Sequence, residues 1–178
     1  MKFTLNLTHR CNLACRYCYG GRMTRTDMSK KIARQSIEFA FSITPPYEKI
    51  EFSFFGGEPL LCHDLMQYLV ALIKKMRASH RGSVRMSMTS NGTLLDRRTI
   101  CLLAENDIDL CVSIDGPEHI HNQHRVYPSG IGSYKNVMSG LVLALGSLER
   151  VQVNAVYSPD TIASMSETLL FFLSENFY

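Results

Sequence analysis

Cys11, Cys15 and Cys18 fall within the eight residues CNLACRYC, and thiols this closely spaced are candidates for metal ligation or catalysis. A closed tetrahedral metal site asks for four ligands, and no fourth cysteine lies nearby. One answer is a zinc site completed by His9; another is a centre that keeps a coordination position open. The remaining thiols, Cys62, Cys101 and Cys111, sit in or beside the apolar stretches PLLCHDL, TICLLAE and DLCVSI. There, buried and inert cysteines are expected.

The elements that must position these thiols are legible as alternation. KFTLNLT (2–8), KIEFSF (49–54), VRMSMT (84–89), DLCVSI (109–114) and VQVNAV (151–156) each switch between apolar and polar with a period of two and read as strands. Between them run segments of helical periodicity, clearest at Leu65, Leu69, Leu72, Ile73 and Met76, and again at Ile162, Met165, Leu169, Phe172 and Leu173. Each predicts a helix that buries one stripe. Strand alternating with helix implies parallel βαβ units with right-handed crossovers.

Parallel strands covered on both faces should be apolar on both, yet each of these carries a polar face, for example Thr4, Asn6 and Thr8, or Arg85, Ser87 and Thr89. A sheet that curls with helices only on its outside explains this, because the polar residues then line a concave interior able to hold a charged ligand. Ligands in βα arrays sit on the loops after the strands. The cysteine cluster, Gly56-Gly57-Glu58, Ser90-Asn91-Gly92 and Asp115-Gly116-Pro117 follow four successive strands in that position.

At 178 residues, with ordinary apolar and charged fractions and no long apolar run, the chain is expected to be one domain with no membrane span. The N-terminus lacks the apolar core of a signal peptide, so a cytoplasmic location is expected, and a reducing compartment keeps clustered thiols free for ligation. HRCNLACR, GGRMTR and KKIAR make the N-terminal part basic, but the net charge is only +3. No nucleic-acid or membrane partner is expected.

The spacing C-x3-C-x2-C with Tyr17 before the last cysteine resembles the signature of radical S-adenosylmethionine (SAM) enzymes. FSFFGGEPLL, TSNGTLL and SIDGP followed by HNQHR are similar to the SPASM branch of that superfamily, which includes peptide maturases and anaerobic sulfatase-maturing enzymes. The likeness runs from residue 2 to about 157. It implies a partial (β/α) barrel with about five of six βα units present, truncated before the sixth and without the auxiliary-cluster domain.

The resemblance also implies a use for the open position. Cys11, Cys15 and Cys18 would hold three irons of a [4Fe-4S] cluster, leaving the fourth iron to the amino and carboxylate groups of SAM. Tyr17 would lie against SAM. Gly56 and Gly57 would let the backbone approach the methionine amino group, with Glu58 as its anion. Ser113 and Arg125 match positions that contact the SAM ribose and carboxylate; Ser90, Asn91 and Asp115 face the same rim. The implied reaction is hydrogen abstraction from a peptide or protein by a radical made from SAM, with a donor such as flavodoxin or ferredoxin supplying the electron. A non-catalytic binding domain, or a zinc-binding remnant of the fold, is the alternative. His119, His121 and His124 have no spacing that brings all three onto one metal ion.

Overall fold

The alternating stretches form β1 (Lys2–Thr8), β2 (Ile50–Gly56), β3 (Val84–Ser90), β4 (Ile108–Ser113) and β5 (Val151–Asn154) in the computed structural model, which describes residues 1–20, 26–175 and 177. Arg22 and Arg25 of the basic N-terminal part lie outside the described residues. The helices are α1 (Lys30–Ile43), α2 (His63–Arg77), α3 (Arg97–Glu105), α4 (Glu118–His124), α5 (Tyr134–Leu145) and α6 (Met165–Ser174).

All five strands are parallel and lie side by side in sequence order. With right-handed crossovers this order puts every connecting helix on the same face of the sheet, the arrangement of an open barrel. The register separates the two faces cleanly. Phe3, Phe52, Met86 and Ile108 form one row across the sheet, and Leu5, Phe54, Met88, Leu110 and Val151 the next. Phe52, Phe54 and Met88 in these rows are fully buried. The intervening rows, Thr4–Ser53–Ser87–Asp109 and Thr89–Cys111–Gln152, carry the polar face that the alternation requires. Phe55 is the aromatic exception on that side, beside Asn6.

Local signals start the helices. The Ser29 hydroxyl accepts from the Ile32 amide ahead of α1, and the Asp96 carboxylate accepts from the Thr99 amide ahead of α3 at 2.7 Å. The α2 stripe behaves as expected, with Leu65, Leu69 and Ile73 buried. The α6 stripe does not: Ile162, Met165, Leu169 and Leu173 are exposed, and Thr168 is the buried residue of α6. The helix is docked by its other face. Thr168 Oγ1 donates to the Asp115 carbonyl at 3.0 Å and abuts Gly116, where a Cβ would lie 2.5 Å from that oxygen.

No helix among the described residues is long and apolar enough to cross a membrane. Phe52 is packed between the rings of Phe3 and Phe41, each at 5.8 Å between centroids. Phe52→Ala is therefore expected to lower the unfolding free energy by about 3–5 kcal/mol, read from the urea midpoint at unchanged slope.

Candidate active site

The cysteine loop leaves β1 and is clamped from two sides. The Gly57 and Glu58 amides donate to the Thr8 and Arg10 carbonyls at 2.8 Å each, while the Ala14 and Arg16 amides donate to Val126 and His124 carbonyls at 2.7 and 3.0 Å. A Cβ on Gly56 would lie 2.4 Å from the Thr8 carbonyl oxygen, and one on Gly57 2.2 Å from that of Arg10. Gly56 also has φ of 137°, a conformation other residues rarely adopt. The bare backbone at these glycines thus serves first to seat the chain's own cysteine loop.

Within that loop Cys11 and Cys15 are half-buried and Cys18 is exposed. The thiols converge closely enough to feel one another's charge. Burial pushes the Cys15 thiol up to about 11, with the Arg125 guanidinium pulling the other way. Burial also raises Cys11, against hydrogen bonds from the Leu13 amide and the Asn91 side chain. Such thiols ionise readily only when a cation arrives to hold the thiolates.

Glu58 departs from expectation. Its carboxylate is turned away from the rim and is fully buried. It accepts from Leu60 N at 3.1 Å and Ser90 Oγ at 3.0 Å on one oxygen, and from Asn91 N at 2.7 Å on the other. It caps the short 3-10 turn Pro59–Cys62 and ties the end of β2 to the end of β3. Ser90, whose hydroxyl also accepts from Gly92 N at 3.0 Å, is consumed in the same arrangement. Asn91 points toward the cysteines, with Nδ2 3.7 Å from Cys11 Sγ.

On the far side of the rim, Arg125, Asp115 and Tyr17 form one group. The Tyr17 hydroxyl and the Val156 amide both donate to the Asp115 carboxylate, the latter at 3.1 Å. Arg125 lies over the Tyr17 ring at 5.3 Å and pairs with Asp115, its Nε 3.0 Å from Oδ1. The ion pair holds the buried guanidinium against the buried carboxylate. Asp115 and Arg125 are thereby both buried, and the half-buried Tyr17 is the more exposed member of the group. Ser113, two residues before Asp115, sits at the end of β4 opposite Asn154.

The histidines of α4 have separate duties. His121 Nδ1 accepts from the Asp115 amide, so its Nε2 donates to Ser133 Oγ, which donates to the Arg125 carbonyl. Burial holds this imidazole near a pKa of about 4, hence neutral. His124 bonds Ser158 and packs at a tilt against the Tyr17 ring, and His119 is exposed beside Glu167. The spacing gave no sign of this His121 relay, nor of the parts played by Asn12, Thr93 and Thr168.

Among the described residues, no three His, Cys, Asp or Glu side chains are gathered as the ligands of one metal ion. Of the scattered thiols, Cys62 and Cys111 are half-buried, but Cys101 is exposed, against expectation. It follows Ile100 on α3 and so turns off the buried stripe of Thr99, Ile100 and Leu103.

Residues 5–172 match the family model of the radical SAM superfamily. The chain belongs to that superfamily. Radical SAM proteins use a [4Fe-4S] cluster and SAM. Similar radical SAM relatives include a serine-type anaerobic sulfatase-maturating enzyme of Bacteroides thetaiotaomicron, 31% identical over 75% of this chain and 33% of its own length. GTP 3',8-cyclase 2 of Mycobacterium tuberculosis is 34% identical over 98% of this chain and 47% of its own. A solved structure of anSMEcpe with bound AdoMet and a peptide superposes with a TM-score of 0.85 at 22% identity, covering 99% of this chain and 48% of that one. The chain thus spans about a third to a half of the length of these relatives.

The radical SAM cofactors fit the residues present. Three soft donors spaced C-x3-C-x2-C lie on the loop after β1 without a fourth cysteine, and the charge of the Arg125 guanidinium acts on Cys15.

Burial raises the Glu58 carboxyl to about 7, in opposition to its three hydrogen bonds, against an ordinary value of 4.5. A native pKa above the unfolded one means that folding stability is full below the unfolded value and is lost as pH rises through the native one. The stability of the wild type relative to Glu58→Gln is expected to fall by about 3 kcal/mol between pH 4.5 and pH 7. Paired urea titrations of the two proteins across that range measure it.

Proposed function

We propose that this chain is the core of a radical SAM enzyme that abstracts hydrogen from a peptide or protein substrate. The observation that carries the reading is the C-x3-C-x2-C spacing of three thiols on the loop after β1, within reach of one another's charge and of the Arg125 guanidinium. Cys11, Cys15 and Cys18 ligate three irons, and the remaining iron is left to SAM, following the rule that catalytic metal sites keep an open position. When bound, the cluster and SAM supply one-electron cleavage of the sulfonium and a carbon radical for hydrogen abstraction.

The chain's own residues bind and orient. Arg125 offers its planar fork to the SAM carboxylate, held in place by Asp115 and by the face of Tyr17. The Tyr17 ring provides the surface against which SAM lies. Ser113 reaches the ribose, and backbone groups of Gly56, Gly57 and Glu58 approach the amino group. Ser90 supports that wall from behind through Glu58, and a flavodoxin- or ferredoxin-type protein supplies the electron.

The motifs FSFFGGEPLL and SIDGP with HNQHR support a peptide substrate, as does the likeness to a peptide-bound neighbour. The 34% identity to a GTP cyclase favours a nucleotide as the second reading. With dithionite and SAM, 5'-deoxyadenosine formation that depends on a sulfatase-derived peptide supports the first reading. Dependence on GTP overturns it.

Anaerobic reconstitution with iron and sulfide, followed by electron paramagnetic resonance (EPR) of the reduced protein, tests the site. A cluster signal that shifts on adding SAM is expected; colourless protein with one zinc contradicts the proposal. Cys15→Ala should abolish cluster loading while Cys101→Ala leaves it intact. Arg125→Ala should keep the cluster but weaken SAM binding by about tenfold to a hundredfold, the worth of a hydrogen bond to a charged group.

A further inference from the structure

We propose that Asn91 tunes the reduction potential of the cluster, through an N–H···S hydrogen bond to Cys11 whose direction is locked by a closed ring of Asn91, Asn12 and Thr93. The proposal rests on the reading of Cys11 as an iron ligand.

Among the three clustered cysteines, the thiol hydrogen bonds found within the described residues all fall on Cys11: Leu13 N at 3.4 Å and Asn91 Nδ2 at 3.7 Å. The first is a backbone contact within the loop. The second reaches across from the end of β3 and depends on which way one amide points.

That orientation is over-determined. Asn91 Oδ1 accepts from Thr93 N at 3.0 Å and from Thr93 Oγ1 at 2.7 Å, and a backbone N–H can only donate. The NH2 group must therefore face the other way, where one hydrogen goes to Asn12 Oδ1 at 2.8 Å and the other to Cys11 Sγ. Asn12 Nδ2 closes the ring by donating to Thr93 Oγ1 at 2.8 Å. All the hydrogen-bonding capacity of the Asn91 amide is used, and the residue is 7% exposed. Its backbone amide is fixed in turn by the Glu58 carboxylate at 2.7 Å.

Reduction adds negative charge that spreads onto the thiolate sulfurs. A donor aimed at one of them stabilises the reduced form more than the oxidised form and raises the potential. Asn91 is a positioning and tuning residue in this account. It shares the Glu58 carboxylate with the preceding Ser90 and needs no contact with SAM.

The test is a redox titration of the reconstituted full chain with dithionite, followed by EPR, alongside iron content and circular dichroism. Asn91→Leu keeps the branched shape and removes the donor; it should lower the ratio of reduced to oxidised cluster at a given potential about tenfold, which is 59 mV for one electron. Asn91→Asp, which also places a negative charge at Cys11, should lower it further. Asn12→Ala, which frees the amide without altering Asn91, should move it in the same direction by less, and it decides the matter if Asn91 variants fail to load iron. Unmoved potentials in variants that carry full iron overturn the proposal. A wild-type chain that takes up no cluster overturns instead the reading of the cysteines on which it rests.

Discussion

The Glu58 carboxylate, with three donors converging on it in the interior, is the contact on which the rim depends. It spans the ends of β2 and β3 and the cysteine loop at once: its own amide holds the Arg10 carbonyl, and its side chain holds Asn91, which reaches Cys11. A fully buried carboxylate is costly to keep without partners, and the hydrogen bonds from Asn91, Leu60 and Ser90 offset that cost. Two sequence motifs that look independent, GGE and SNG, are thus one structural unit whose output is the position of a sulfur.

A second polar unit faces it across the rim. Asp115 gathers Tyr17, Arg125 and the Val156 amide, while His121 and Ser133 pin the backbone on either side of it. The neutral imidazole suits this task, since it must accept from one backbone amide and pass a hydrogen bond onward. Between the two units lie the three thiols, and behind both runs the curled sheet that supplies loops of fixed spacing at its C-terminal edge. The division of labour is that buried polar groups, the Arg125 guanidinium among them, set positions while the Tyr17 ring and the thiols are left nearer the surface.

Much of this was legible in the chain. Period-two alternation located all five strands to within two residues at every end, because one face of each is buried and a slip would invert it. The cysteine spacing and the loops after the strands marked the rim. What the sequence concealed was orientation. Nothing in GGEP says that Glu58 turns inward, since a carboxylate after two glycines reads equally as a ligand or a cap. Nothing in the apolar stripe of α6 says that Thr168 docks the helix, because that contact depends on Gly116 being small enough to admit it. The burial of Cys101 was misjudged for a related reason: an apolar neighbourhood in sequence is not one in space when the helix turns about 100° per residue.

The most direct test of the account is amide hydrogen exchange at Asn91 in the folded protein. If the Glu58 carboxylate anchors the rim, the Asn91 N–H should exchange only through global unfolding, with an opening free energy equal to that of denaturation. Exchange at the rate of an unprotected loop amide would contradict it, and would mean that the loop bearing Asn91 moves independently of the buried carboxylate.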